Sequence, residues 1–320
     1  MGSTSKSVHV AVLDDYQNAA LRLADWSVLD GRAAVTVFND HLADADAVVE
    51  RLKPFDAVCV MRERTPLPRA VVERLPRLRL VVSTGARNAA IDVAACEERG
   101  IAVAFTGYDS APTIEMTWAL ILAASRHLVV ENLAFRRGAW QQGIGVGLAG
   151  KTLGVLGLGR VGGAVARIGA AFGMHVIAWS PHMTPERAAA HGATAVDKAA
   201  LLRQSDVLTL HMVLSPKTRG LLGADELALM KTTSLLVNTS RGPLIDEAAL
   251  VNALTSRKIA LAALDVFDVE PLPDDHPLRS LENVLGTPHI GYVADDLYRT
   301  FYGDTVKALD GWLATTARSA

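Results

Sequence analysis

Three polar side chains stand just past apolar runs in the second half of the chain. They are Arg241 in "LLVNTSRGPLID", Glu270 in "LDVFDVEPLP" and His289 in "LGTPHIGY". Open α/β sheets bind ligands beyond the carboxyl ends of their strands, so residues in these positions can converge on one crevice. The planar fork of arginine suits a carboxylate. A histidine can take a hydroxyl proton in an oxidation and return it in the reverse reduction. A carboxylate beside that histidine orients the ring and favours its charged form. Each residue alone is an ordinary loop residue. Together they suit hydride transfer at a carbon next to a carboxylate, provided that a nicotinamide is bound nearby.

The stretch "TLGVLGLGRVGGAVARIGAAFGMHVIAWSPH" supplies that condition. Gly157, Gly159 and Gly162 form GxGxxG directly after an apolar run and at the head of a small-residue helix. The first glycine permits a tight turn, the second lets backbone approach a pyrophosphate, and the third lets helix and strand pack closely. The helix N-terminus adds unpaired N–H groups and a partial positive charge. At the end of the following strand, where an acid usually binds the ribose hydroxyls, stands Ser180, followed by Pro181 and His182. Serine removes the repulsion of a 2′-phosphate, and His182 can add charge. NADP is therefore admitted and favoured, with NAD as the other option.

These residues need a scaffold, and the rest of the chain predicts one. "HVAVLD", "VTVFN", "AVCVM", "LRLVVSTG" and "IAVAF" read as strands. They alternate with the helical stretches "QNAALRLADWSVL", "ADAVVERLK", "RAVVERLP" and "DVAACEERG". A second series begins with "TLGVLGLG" and continues through "HVIAWS", "DVLTLHM", "SLLVNTS", "LAALDVF" and "NVLGTPH". Strand–helix alternation of this kind predicts α/β architecture with parallel sheets. "TIEMTWALILAASRHLVVENLAFRRGAW" predicts a long helix or helix pair linking the two series. The tail "YRTFYGDTVKALDGWLA" is also helical in pattern.

The chain has 320 residues, enough for two domains, and its formal net charge is −2. That balance offers no field for nucleic acid or an anionic membrane surface. No apolar stretch reaches the ~18 uninterrupted residues of a membrane span, and the start has no signal-peptide core. "MGSTSK" matches the first residues of a myristoylation signal, but such Gly/Ser starts are common and nothing else points to an anchor. Cys59 and Cys96 stand far apart in apolar surroundings, which suits a reduced cytoplasmic protein. No metal-ligand spacing is present, so no metal is expected.

The sequence resembles the D-isomer-specific 2-hydroxyacid dehydrogenases, in particular their glyoxylate/hydroxypyruvate reductase-like members. The matching stretches are "GKTLGVLGLGRVG", "SDVLTLHMVLSPKTRGLLG", "LALMKTTSLLVNTSRGPLIDEAALVNAL", "LAALDVFDVEPLP" and "NVLGTPHIGY", in that order. "VVSTGARNAAIDVAACEERGIAVAF" and "IEMTW" extend the likeness towards the N-terminus. The resemblance implies a flavodoxin-like substrate domain, 1–105 plus 295–320, and a Rossmann dinucleotide-binding domain, 106–294, both doubly wound. It implies Arg241 as carboxylate binder, His289 as acid/base and Glu270 as its partner. Asp265 would meet the nicotinamide carboxamide, and the backbone of Arg160 and Val161 the pyrophosphate. His211, Met212, Val213, Thr218, Thr239, Ser240 and Gly291 would line the cofactor path. Thr84, Gly85 and Ala86 match a loop whose N–H groups grip the substrate carboxylate, and Tyr292 falls near the acid/base. A homodimer built on the cofactor domains and linking helices is also implied.

Departures from the family pattern concern the substrate. "STGARNAAID" lacks a glycine and an Asp-Asn pair, with Arg87 and Asn88 there instead. "FTGYDSAPTIEMTW" brings Tyr108 and Asp109. Tyr108, Tyr292 and Trp140 could form an aromatic pocket. The reading is therefore an NAD(P)-dependent oxidoreductase acting on a small 2-oxo or D-2-hydroxy acid. Its alternatives are a formate- or phosphite-type dehydrogenase and a dinucleotide-sensing scaffold with little turnover.

Overall fold

The computed structural model describes residues 7–318, so the MGSTSK start lies outside the described residues. Two compact units emerge. One runs up to Asp109 and resumes at Ala294, and the other spans Ser110–Val293.

The first unit carries five strands: β1 (Val8–Val12), β2 (Ala33–Val37), β3 (Ala57–Val60), β4 (Leu80–Ser83) and β5 (Ala102–Phe105). All pair in parallel, in the order β2-β1-β3-β4-β5. This is the flavodoxin-like order. β3 and β4 are buried along their whole length, as apolar runs without alternation predict for a parallel sheet covered on both faces. Cys59 and Cys96 are both buried, and burial pushes the Cys59 thiol up to about 12. The chain returns to this unit in the helix Asp295–Arg318, whose Tyr302 hydroxyl donates to buried Asp15.

The second unit carries seven strands: β6 (Thr152–Leu156), β7 (His175–Trp179), β8 (Thr194–Ala195), β9 (Val207–Leu210), β10 (Leu235–Asn238), β11 (Leu261–Leu264) and β12 (Val284–Gly286). Their order is β12-β11-β10-β9-β6-β7-β8, again all parallel. The order reverses between β6 and β9, which is the dinucleotide-binding switch point of a Rossmann sheet. Successive residues feed opposite cores. Leu153 and Val155 pack with Trp118, Leu120 and Ile121, while Leu156, Leu208 and Leu210 pack with Leu201 and Leu202.

One helical expectation is corrected, and the linking segment takes the second of its two expected forms. "QNAALRLADWSVL" is not one helix but a turn of α-helix at Ala20–Leu23 and a 3-10 turn at Trp26–Leu29. Asp25 breaks it, because its carboxylate accepts from the backbone and hydroxyl of Ser27. The linking segment resolves into two helices, Ala111–Ser125 and Leu128–Arg136. They part at His127, whose φ of 53° is left-handed and ends the first helix. Among the described residues, no single helix is long and apolar enough to cross a membrane. The bent pair passes on length and composition only together, and its first helix is core to the second sheet.

Candidate functional site

The glycine turn follows β6 and opens the helix Arg160–Ala171. Each glycine is there for a different reason. Gly157 has φ +100°, and a Cβ on it would lie 2.7 Å from the His211 carbonyl oxygen. A Cβ on Gly162 would lie 2.0 Å from the Gly157 carbonyl oxygen. Gly159 has open space where its Cβ would be, as close approach of a bulky ligand to the backbone requires. The turn thus fits a pyrophosphate at the helix N-terminus, with the backbone of Arg160 and Val161 beside it. Gly162→Ala should lower stability by about 1–3 kcal/mol through overpacking and weaken cofactor binding. A thermal melt paired with a cofactor titration checks both.

Around this turn the sequence-predicted residues divide by what their groups already do. His211 is held neutral, its pKa pushed down to about 3 by burial, with Nε2 3.0 Å from the Thr209 hydroxyl. The Thr239 hydroxyl pairs with that of Thr117 at 2.7 Å, fixing the β10 end to the Ala111–Ser125 helix. Ser240 donates to the Met212 carbonyl at 2.7 Å. Thr218 is tied within its own loop. Its hydroxyl donates to the Val213 carbonyl and accepts from the Ser215 amide, so it staples the loop. Val213 itself is exposed.

At the end of β7, Ser180 is half-buried and Pro181 and His182 are exposed. The loop after Ser180 also brings in an arginine. Arg187 donates from Nη1 to the His182 carbonyl at 3.0 Å. Thr184 caps the short helix Pro185–Ala189 and turns Arg187 back towards the strand end. The Thr-Pro start of that helix was the available signal.

The side chains of His289 and Glu270 meet. His289 Nδ1 lies 2.5 Å from Glu270 Oε2, and Glu270 Oε1 accepts from the Phe267 amide at 2.9 Å. An ionised carboxylate can only accept, so Nδ1 carries the proton and Nε2 is left for exchange. His289 has φ +51°. The buried Tyr292 sets its ring edge against the imidazole at 5.2 Å, which places it beside His289. Arg241 follows β10, and its Nη1 donates to the Ser240 carbonyl at 2.7 Å. A Cβ on the next residue, Gly242, would lie 2.0 Å from Phe267 C. The chain after Arg241 therefore runs tightly against the loop that carries Glu270. Asp265, at the end of β11, is buried and accepts from Thr287, Ile290 and Gly291.

In the first unit, the loop Thr84–Ala86 is held by its own hydrogen bonds. The Thr84 amide donates to the Val60 carbonyl at 3.1 Å, and the Gly85 amide to the Thr106 hydroxyl at 2.7 Å. Two of the three expected carboxylate donors are thus committed, and Ala86 is the exposed residue. Asn88 is also structural, bonding the Arg62 carbonyl and the Ser83 hydroxyl. The residue missed here is Arg62. Its Nη1 donates to the Thr84 carbonyl at 3.1 Å and would meet a Cβ on Gly85. Its guanidinium lies 5.3 Å from the Tyr108 ring centroid. Trp140 is largely exposed and packs against Phe135.

Comparison with known proteins gives this geometry a family. Residues 118–291 match the model of the D-isomer specific 2-hydroxyacid dehydrogenase NAD binding domain. The chain is 42% identical over 277 residues to a D-3-phosphoglycerate dehydrogenase of Methanocaldococcus jannaschii, covering 84% of this chain and 52% of the relative. It thus spans about half of that enzyme's length. It is 44% identical over 229 residues to a glyoxylate reductase of Aeropyrum pernix, covering 68% of each. The crystal structure of a phosphoglycerate oxidoreductase from Vibrio cholerae superposes with a TM-score of 0.90 at 39% identity, covering 98% of this chain and 100% of that one. With the Rossmann sheet, its glycine turn and this agreement over most of its length, the chain belongs to the D-isomer specific 2-hydroxyacid dehydrogenase family.

Proposed function

We propose that the protein is an NAD(P)-dependent D-2-hydroxyacid dehydrogenase that interconverts a small 2-oxo acid and its D-2-hydroxy acid. The observation that carries this reading is the His289–Glu270 pair on the same sheet as the glycine turn. The nicotinamide, when bound, supplies or accepts the hydride. His289 gives a proton from Nε2 to the substrate oxygen in reduction and takes it back in oxidation. Glu270 holds the tautomer that leaves Nε2 facing substrate and stabilises the charged ring. Arg241 holds the substrate carboxylate and draws charge towards the developing alkoxide. Ala86 is kept as a substrate contact.

NADP is the favoured cofactor, on the strength of Ser180 and of Arg187, whose guanidinium is held by the His182 carbonyl in the same loop. A homodimer is proposed from the apolar side chains exposed between Leu128 and Val146, which include Val130, Phe135, Trp140 and Ile144. A cytoplasmic location fits the two unpaired buried cysteines. The test is consumption of NADPH and NADH across glyoxylate, hydroxypyruvate, pyruvate and phenylpyruvate. Turnover of at least one acid supports the reading. Tight cofactor binding with no turnover on any of them favours the sensing scaffold.

A further inference from the structure

We propose that Asp265 is a positioning residue for proton transfer, because its carboxylate latches the turn Thr287–Gly291 and so fixes where His289 points. This rests on the assignment of His289 as acid/base. The turn wraps around one carboxylate. Oδ1 accepts from the Thr287 hydroxyl at 2.6 Å and the Ile290 amide at 2.9 Å, and Oδ2 accepts from the Gly291 amide at 2.7 Å. One anchor precedes His289 and two follow it. Between them His289 holds its left-handed backbone, a conformation that a non-glycine residue keeps only when its surroundings impose it.

Two further features belong to the same device. The Asp265 side chain is 1% exposed, so no water competes for its lone pairs. Its own amide donates to the Asn238 carbonyl at 2.9 Å, which ties the carboxylate to the β10–β11 pair. A Cβ on Gly291 would lie 2.8 Å from Asp265 Oδ2, so the glycine is needed for the amide to reach the carboxylate. Burial raises the Asp265 pKa, and its donors and nearby His289 pull it back. A carboxylate offers about four acceptor positions. Three are filled, which leaves one on Oδ2 for a further donor. The contact with a carboxamide implied by the family resemblance and the latch can therefore coexist, and experiment can separate them.

The separating variant is Thr287→Val, which removes one donor from Oδ1 without touching Oδ2. It is compared with Asp265→Asn and the wild type, using the full chain. Four readouts are taken: kcat and KM, cofactor affinity by fluorescence titration, melting temperature, and amide exchange of the 284–293 segment by mass spectrometry. The latch predicts that Thr287→Val lowers kcat by about tenfold, the scale of one net hydrogen bond. KM and cofactor affinity stay within about twofold, and amide exchange in the segment speeds up. Asp265→Asn should lose more kcat, because an amide cannot accept all three donors. If Thr287→Val leaves kcat and exchange unchanged while Asp265→Asn only weakens cofactor binding, Asp265 is a cofactor contact and the latch is wrong. If Asp265→Asn fails to fold, Thr287→Val alone still decides. If the wild type turns over no 2-oxo acid, the functional reading fails, whereas the exchange comparison still shows whether the turn is latched.

Discussion

His289→Ala is expected to lower kcat by about 10² to 10⁴-fold, the usual contribution of a positioned general acid or base, with cofactor affinity unchanged. Stopped-flow reduction of a 2-oxo acid, alongside a cofactor titration, measures both. The His289 ring is fixed at Nδ1. Glu270 accepts there and the Phe267 amide holds the other carboxylate oxygen, so neither ring nor carboxylate swings freely. The proton that matters is therefore on Nε2, and alanine removes it without disturbing the glycine turn on another strand. Glu270→Gln should give a smaller but definite loss. Its amide nitrogen, turned to Nδ1, would donate, and the ring would shift its proton to Nε2. That tautomer is neither a base at Nε2 for oxidation nor, without the Glu270 charge to stabilise the imidazolium, a good acid for reduction. A loss in both directions is thus the signature of the pair. An unchanged rate for His289→Ala would remove the role assigned to it.

Much of this arrangement is legible in the residues because parallel strands buried on both faces read as unbroken apolar runs. "AVCV", "LVVS", "VLTL" and "LLVN" all occur as fully buried strands. Arg241 lies just past the buried run "LLVN", and Glu270 and His289 lie in the loops that follow the apolar runs of β11 and β12, so all three can be picked out by type and place. What is hidden depends on partners far away in sequence. The Gly85 amide is taken by Thr106, 21 residues on, and nothing in "STGARN" shows that. Arg62 reaches Thr84 across two neighbouring strands. Asp265 reads as one acid after "LAAL", and its three donors come from a loop whose course depends on the β12 pairing. The short strand Thr194–Ala195 is two residues long and carries no periodic signal at all. The helix break at His127 is hidden for another reason. Histidine is no helix breaker, and only the left-handed backbone reveals the stop.

The second large effect concerns the cofactor. The double variant Ser180→Asp, Arg187→Ala is expected to shift the ratio of NADPH to NADH affinity about 10² to 10³-fold towards NADH. On the NADP reading, Arg187→Ala would remove a hydrogen bond to a charged phosphate, worth about 1.5–3 kcal/mol or about 10- to 100-fold. Its guanidinium is placed by the His182 carbonyl at the end of β7, so alanine deletes charge without unwinding the helix that Thr184 caps. Ser180→Asp adds a carboxylate where the ribose would lie. Against a phosphate its repulsion is a few kcal/mol near a protein surface, reduced by salt at a half-buried site open to solvent. For NADH the same carboxylate gains two ribose hydroxyls as donors, so NADH should bind as well or better. Titration of both reduced cofactors at two salt concentrations reads the prediction directly. The NADPH loss should shrink at high salt, because it is a charge effect, while the NADH value should hold. If NADPH affinity does not fall in either single variant, the 2′-phosphate does not lie beside residue 180. The guanidinium of Arg187 would then serve only to close the loop on the His182 carbonyl.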